Sequence, residues 1–271
     1  MVTALSGVFF RPLPITTLTV RQFLDGKAIR VAGLIGLIPA VFALIYLINQ
    51  GTTTRFEFFS DTLFLNLFAP TVLPIATLIL ATSAFGNELE DRTLPYLTLK
   101  PVSRLRIVLE KWLGVVLVGI PVILFGQIVT AIILSFTNGN ATEQRYAADP
   151  RFADRIPDYT SAIWPALAAG AVGVVMFASI FILISLYIPR ALLAGIFYAF
   201  VWESLLGRYL SGIRLVSVKQ YVQSVFTRLL DDPNITIKNP FQLDSALLVA
   251  GITALICILL STRRLSRINL E

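Results

Sequence analysis

Long runs without a single Asp, Glu, Lys or Arg recur along this chain, and they constrain its fold more than any other feature. A hydrocarbon core about 30 Å thick takes about 20 apolar residues in helical form. Inside it each backbone amide and carbonyl needs an internal partner, because an unpaired group costs several kcal/mol. The charge-free runs are therefore read as crossings over 31–50, 62–86, 112–136, 160–189 and 245–262, with a sixth over 190–206. The sixth is the shortest and requires Glu203 to stand at the outer interface. Pro70 and Pro74 should kink the second crossing. Composition agrees, with 56% AVILMFWYC and 14% charged residues, where soluble domains average about 45–50% and about 25%. A soluble fold of this size cannot bury that much apolar surface. The expected class is all-α, a polytopic membrane protein forming one transmembrane domain over residues 1–271.

Basic residues set the orientation. With both termini in the cytoplasm, the inner segments hold 13 Lys/Arg and 6 Asp/Glu, and the outer ones hold 9 and 10. The inner side is then net positive and the outer side slightly negative, as the positive-inside rule demands. Arg263, Arg264 and Arg267, directly after the last crossing, are the strongest element of this pattern. Ahead of the first crossing, residues 16–30 place Leu18, Phe23, Leu24 and Ile29 among Arg21, Lys27 and Arg30. They are read as an interfacial elbow helix; the alternative is a solvated tail. Residues 1–10 lack a positive n-region, so no cleaved signal peptide is expected. Two outer segments follow, 137–159 and 207–244. In the second, apolar residues such as Tyr221, Val225, Phe226 and Leu229 alternate with Arg208, Arg214, Lys219 and Arg228. That pattern suits amphipathic helices returning to the interface, against the alternative of an ordinary loop.

Much chemistry is excluded. The chain has no His and one Cys, Cys257, inside an apolar run. Zinc sites, haem ligation and Cys–His nucleophiles need residues that are missing. No catalytic, cofactor-binding or metal-binding residue is assigned. The first four crossings carry no ionisable residue, which argues against ion-coupled transport and intramembrane proteolysis. No phosphate-cradling GxxxxGK[ST] loop is present, so any ATP must be hydrolysed by another chain. The excess of Lys and Arg is a topology signal, and no nucleic-acid partner is expected. Ala166, Ala169, Gly170 and Gly173 line one face of the fourth crossing and allow close helix approach, within one subunit or between two.

Residues 87–111 join the second and third crossings on the inner side. Glu88, Glu90 and Asp91 crowd the exit, Arg92 follows, and Leu94, Leu97 and Leu99 form an apolar set at about one turn's spacing. Pro101 ends that short helix, and Ser103 is placed to cap the next. A charged, partly apolar helix of this kind can dock a soluble partner; the plainer alternative is a solvated hairpin held near anionic lipid by its five basic residues. The stretch Glu88…Arg92-Thr93-Leu94…Leu97…Lys100-Pro101-Val102-Ser103-Arg104…Lys111 resembles the E…R-x-G-T-L…L…P-[VI]-S-R…K segment of ABC type 2 exporter permeases. One departure is that Arg92 directly precedes Thr93, where the family usually has a small residue, often Gly.

The resemblance implies six crossings, an elbow helix, a cytoplasmic coupling helix and re-entrant helices before the last crossing. It implies a permease in the cytoplasmic (inner) membrane, a homodimer in the lipid bilayer. Two copies of a cassette ATPase subunit would then bind the ATP and Mg and drive export. Glu88, Glu90, Asp91, Arg92, Thr93, Leu94 and Leu97 would lie at the ATPase boundary, with Pro101, Ser103 and Arg104 at the turn into the third crossing. The alternative function is a membrane anchoring or assembly factor for an extracytoplasmic protein, with no transport of its own. The orientation is tested by C-terminal reporter fusions. A green fluorescent protein fused after Glu271 should fluoresce, and alkaline phosphatase fused there should be inactive.

Overall fold

The computed structural model describes residues 13–49, 53–90, 102–137, 139, 143–144, 158–188, 190–199 and 217–267, the side chains of 86–90 excepted. All regular structure among these residues is helical. Five helical stretches are long and apolar enough to cross a membrane: Lys27–Ile48, Arg55–Phe85, Arg104–Ser135, Tyr159–Tyr187 and Leu243–Arg267. The chain is thus a multi-pass membrane protein. These stretches coincide with the first four charge-free runs and the last. The sixth, 190–206, is described only to residue 199, with a helix at Ala191–Phe197; Glu203 lies outside the described residues.

The helices begin before the charge-free runs do. The second starts at Arg55 rather than 62 and the third at Arg104 rather than 112. A helix extends beyond the hydrocarbon wherever its first amides find acceptors. Thr54 forms a capping box with Glu57, and Ser103 Oγ accepts from the Arg106 amide at 3.4 Å. The elbow also differs from the 16–30 expected. Its helix is Pro14–Asp25, and it ends at Gly26 in extended backbone. A Cβ at Gly26 would stand 2.7 Å from the Gln22 carbonyl, so the turn needs a residue without one. Lys27 and Arg30 consequently belong to the first helix of the bundle, Lys27–Gly36.

The fourth span packs against the second, third and last spans. Its small residues Ala166, Ala169, Gly170 and Gly173 are all buried within this single chain, and Gly173 faces Leu73 and Val222. The small-residue face therefore serves packing inside the subunit. Between the first and third spans, Gly126 lies so close to the Gly36 carbonyl that a Cβ would overlap it. Lipid is as apolar as Leu, so such close contact and interhelical hydrogen bonds hold the bundle together.

The second span departs from α geometry. Phe58–Val72 winds as a π-helix, and α geometry resumes over Leu73–Glu90. Of the two prolines expected to kink this span, Pro70 lies inside the π-helical stretch and Pro74 at the start of the α-helical one. In a π ladder residue 70 donates to the carbonyl of residue 65, but a proline has no N–H to give. Gln223 Nε2 donates to the Leu65 carbonyl instead, at 2.8 Å. Gln223 comes from the amphipathic helix Val218–Leu230, whose Val218, Val222, Val225 and Phe226 are buried. Phe226 stacks on Phe64 at 4.1 Å, so this part of the 207–244 segment is a packed helix rather than a loop. At the same end of the bundle Glu143 accepts from the Arg55 amide and, at 2.8 Å, from Arg55 Nε. Arg55 also lies over the Tyr159 ring at 5.3 Å, tying the second span to the fourth.

Gln223→Leu should cost about 1–3 kcal/mol by stranding the Leu65 carbonyl. Pro70→Ala restores a backbone donor, so in that background the cost of Gln223→Leu should fall below about 0.5 kcal/mol. Thermal melting of the four purified variants in detergent measures the cycle, and strict additivity would contradict the pairing.

Candidate coupling site

The first turns of the third span form a polar junction with two other elements. Pro14 opens the elbow helix and has no amide; Leu13, its N-cap, supplies no side-chain acceptor. Ile15 and Thr16 then carry the first amides in need of a partner. Both donate to Glu110 Oε2, at 2.7 Å and 3.2 Å. Thr16 Oγ1 returns a hydrogen bond to the Glu110 carbonyl at 2.9 Å, and the Thr17 amide reaches the Leu13 carbonyl at 3.2 Å. Glu110, only 2% exposed, is thus a long-range cap, with its charge at the positive end of the helix dipole. Arg106 Nε donates to the free oxygen Oε1 at 2.6 Å, one turn earlier on the same face.

Close helix approach makes this bonding reachable. Ile15, Thr16, Thr19 and Phe23 form the buried face of the elbow helix. Gly114 lies beneath Thr19, where a Cβ would come within 2.9 Å of the Thr19 methyl. The opposite face exposes Leu18 and Leu24 together with Arg21, a composition suited to the headgroup region. The next residue of the third span, Lys111, points to the second span. Its Nζ donates to the Ala84 carbonyl and lies over the Phe85 ring at 4.6 Å. Trp112 Nε1 donates to Ser179 Oγ of the fourth span at 2.9 Å. Three consecutive residues therefore tie the third span to the elbow helix and to the second and fourth spans.

The sequence-predicted residues fall around this junction unequally. Ser103 caps the third helix and Arg104 is its first residue. Glu88 and Glu90 lie on the last turn of Leu73–Glu90, with side chains outside the described set. Asp91, Arg92, Thr93, Leu94, Leu97 and Pro101 lie outside the described residues. Of the elbow residues, Phe23 is 2% exposed, whereas Arg21, Lys27 and Arg30 are exposed. Glu110 and Arg106 were not among the predicted site residues. Their (i, i+4) spacing is visible in the sequence, but the elbow amides they serve are some 95 positions away.

Glu110→Ala should strand the Ile15 and Thr16 amides, at a cost of about 1–3 kcal/mol. Hydrogen–deuterium exchange over residues 14–25 should then accelerate. Arg106→Gln, which removes a half-exposed partner, should change that exchange little; equal effects of the two substitutions would contradict the capping role.

The junction draws on Ala84 and Phe85 of the second span and Arg106–Trp112 of the third, the described elements that flank residues 91–101 in sequence. No curated protein matches the chain. The family model for ABC-2 family transporter proteins does match, over residues 27–206. That match is about two thirds of the chain and runs from the first span through the loop and beyond the fourth. With the multi-pass helical fold beside it, the conclusion follows that this chain belongs to the ABC-2 family of transporter membrane proteins.

Proposed function

We propose that this chain is the permease subunit of an ABC exporter, coupling ATP hydrolysis on a separate ATPase chain to translocation across the cytoplasmic membrane. One observation carries the reading. The second and third spans, which flank residues 91–101 in sequence, and the elbow helix are joined through Glu110 and Lys111, within the third span that the family match includes. A push on residues 91–101 would move three elements together, as a coupling device requires. Glu88, Glu90, Asp91, Arg92, Thr93, Leu94 and Leu97 would face the ATPase, with Pro101, Ser103 and Arg104 at the return. Apolar Leu94 and Leu97 would bury against the partner, and the charges would fix register.

The working unit would be a homodimer of six-span subunits on two cassette ATPase copies, with both termini in the cytoplasm. ATP and Mg would be held by the ATPase chains. The sixth crossing would run over 190–206. The scarcity of polar side chains in the spans favours an amphipathic or lipid-like cargo.

Co-expression with the cassette ATPase of a neighbouring reading frame tests the reading. A stable complex with ATPase activity is expected from the wild type. Leu94→Glu, and Glu88→Lys combined with Arg92→Glu, should each weaken assembly about tenfold or more. A complex indifferent to both changes would place docking elsewhere. No complex at all would favour an anchoring factor for an extracytoplasmic protein.

A further inference from the structure

We propose that the basic end of the fourth and last spans is a binding site for the headgroup of an anionic phospholipid. Four arginines gather there. Arg263, Arg264 and Arg267 occupy the last turns of Leu243–Arg267, and Arg190 follows the end of Ile163–Tyr187 by three residues. Arg264 joins the two groups. Its Nε donates to the Leu186 carbonyl at 3.4 Å, and its guanidinium lies over the Tyr187 ring at 5.1 Å. These contacts occupy one of the five guanidinium N–H donors and leave the outer fork for a ligand.

Among the described residues no carboxylate pairs with these arginines; the ion pairs there are Arg55–Glu143 and Arg106–Glu110. Arg190, Arg263 and Arg267 are exposed. A positive-inside signal requires only that basic residues be numerous on one side. Here Arg264 of one helix is instead drawn onto the end of another, over its Tyr187 ring. Directly beside them the surface is apolar: Ile188, Leu192, Leu193, Leu259 and Leu260 are exposed. Phosphate above and hydrocarbon below is the layout of a phospholipid at the membrane boundary. A zwitterionic headgroup carries its own ammonium, so an anionic one fits these arginines better.

The full-length chain in nanodiscs of phosphatidylcholine, with or without phosphatidylglycerol, tests the site, and native mass spectrometry counts the lipids retained. Wild-type protein should retain phosphatidylglycerol selectively. Arg190→Gln/Arg267→Gln, at two exposed positions, should reduce that retention about fivefold. Arg228→Gln/Lys238→Gln removes the same charge from the exposed surface between Val218 and Leu243 and should leave it near the wild-type level. Equal losses in the two double variants would reduce the effect to net charge and overturn the site. So would retention without preference for phosphatidylglycerol, or release of the lipid by inorganic phosphate alone.

Discussion

A backbone amide or carbonyl in hydrocarbon has no water to fall back on, so each break in a helical ladder must be closed by something else. In this protein two such breaks are closed by side chains from distant parts of the sequence. Pro70 takes a donor from the second span, and Gln223 supplies one to the Leu65 carbonyl. Pro14 and an N-cap without a side-chain acceptor leave the elbow helix open, and Glu110 closes it. Either site in isolation would be a defect. In the fold each becomes a fastening between elements that apolar contact alone would leave free to slide, because lipid competes equally for apolar surface.

The two fastenings stand at opposite ends of the bundle and differ in kind. The Gln223 fastening is an amide reaching a carbonyl, supported by the Phe64–Phe226 stack and, nearby, by the Arg55–Glu143 pair. The other concentrates charge: Arg106, Glu110 and Lys111 meet the elbow helix and the end of the second span within two turns. A second span with π geometry over Phe58–Val72 and α geometry over Leu73–Glu90 runs between them.

Helix ends explain where sequence reading fell short. Crossings were legible because a hydrocarbon core selects for charge-free length, and the runs over 31–50, 112–136 and 160–189 each lie largely within a described span. Charged residues mark the end of hydrocarbon, not the end of a helix. Arg55 and Arg104 therefore begin helices that the charge-free criterion starts later. The elbow was legible as an amphipathic stretch, but Gly26 divides it so that Lys27 and Arg30 join the first span. Ser103 was legible as a cap because its bond is local. Glu110 was not legible as one, since nothing near it in sequence shows which amides it will meet.

The sequence by itself determined a multi-pass helical protein, the placement of most crossings and the family to which its loop points. Those properties follow from length, charge and local spacing, and they hold whatever the helices pack against. Only the tertiary structure decided that the small-residue face of the fourth span is internal, that Gln223 answers Pro70, and that Glu110 caps the elbow. Each of these is a pairing between residues far apart in the chain. Which helix lies beside which is settled by the fit of the whole bundle, and no local pattern carries that information.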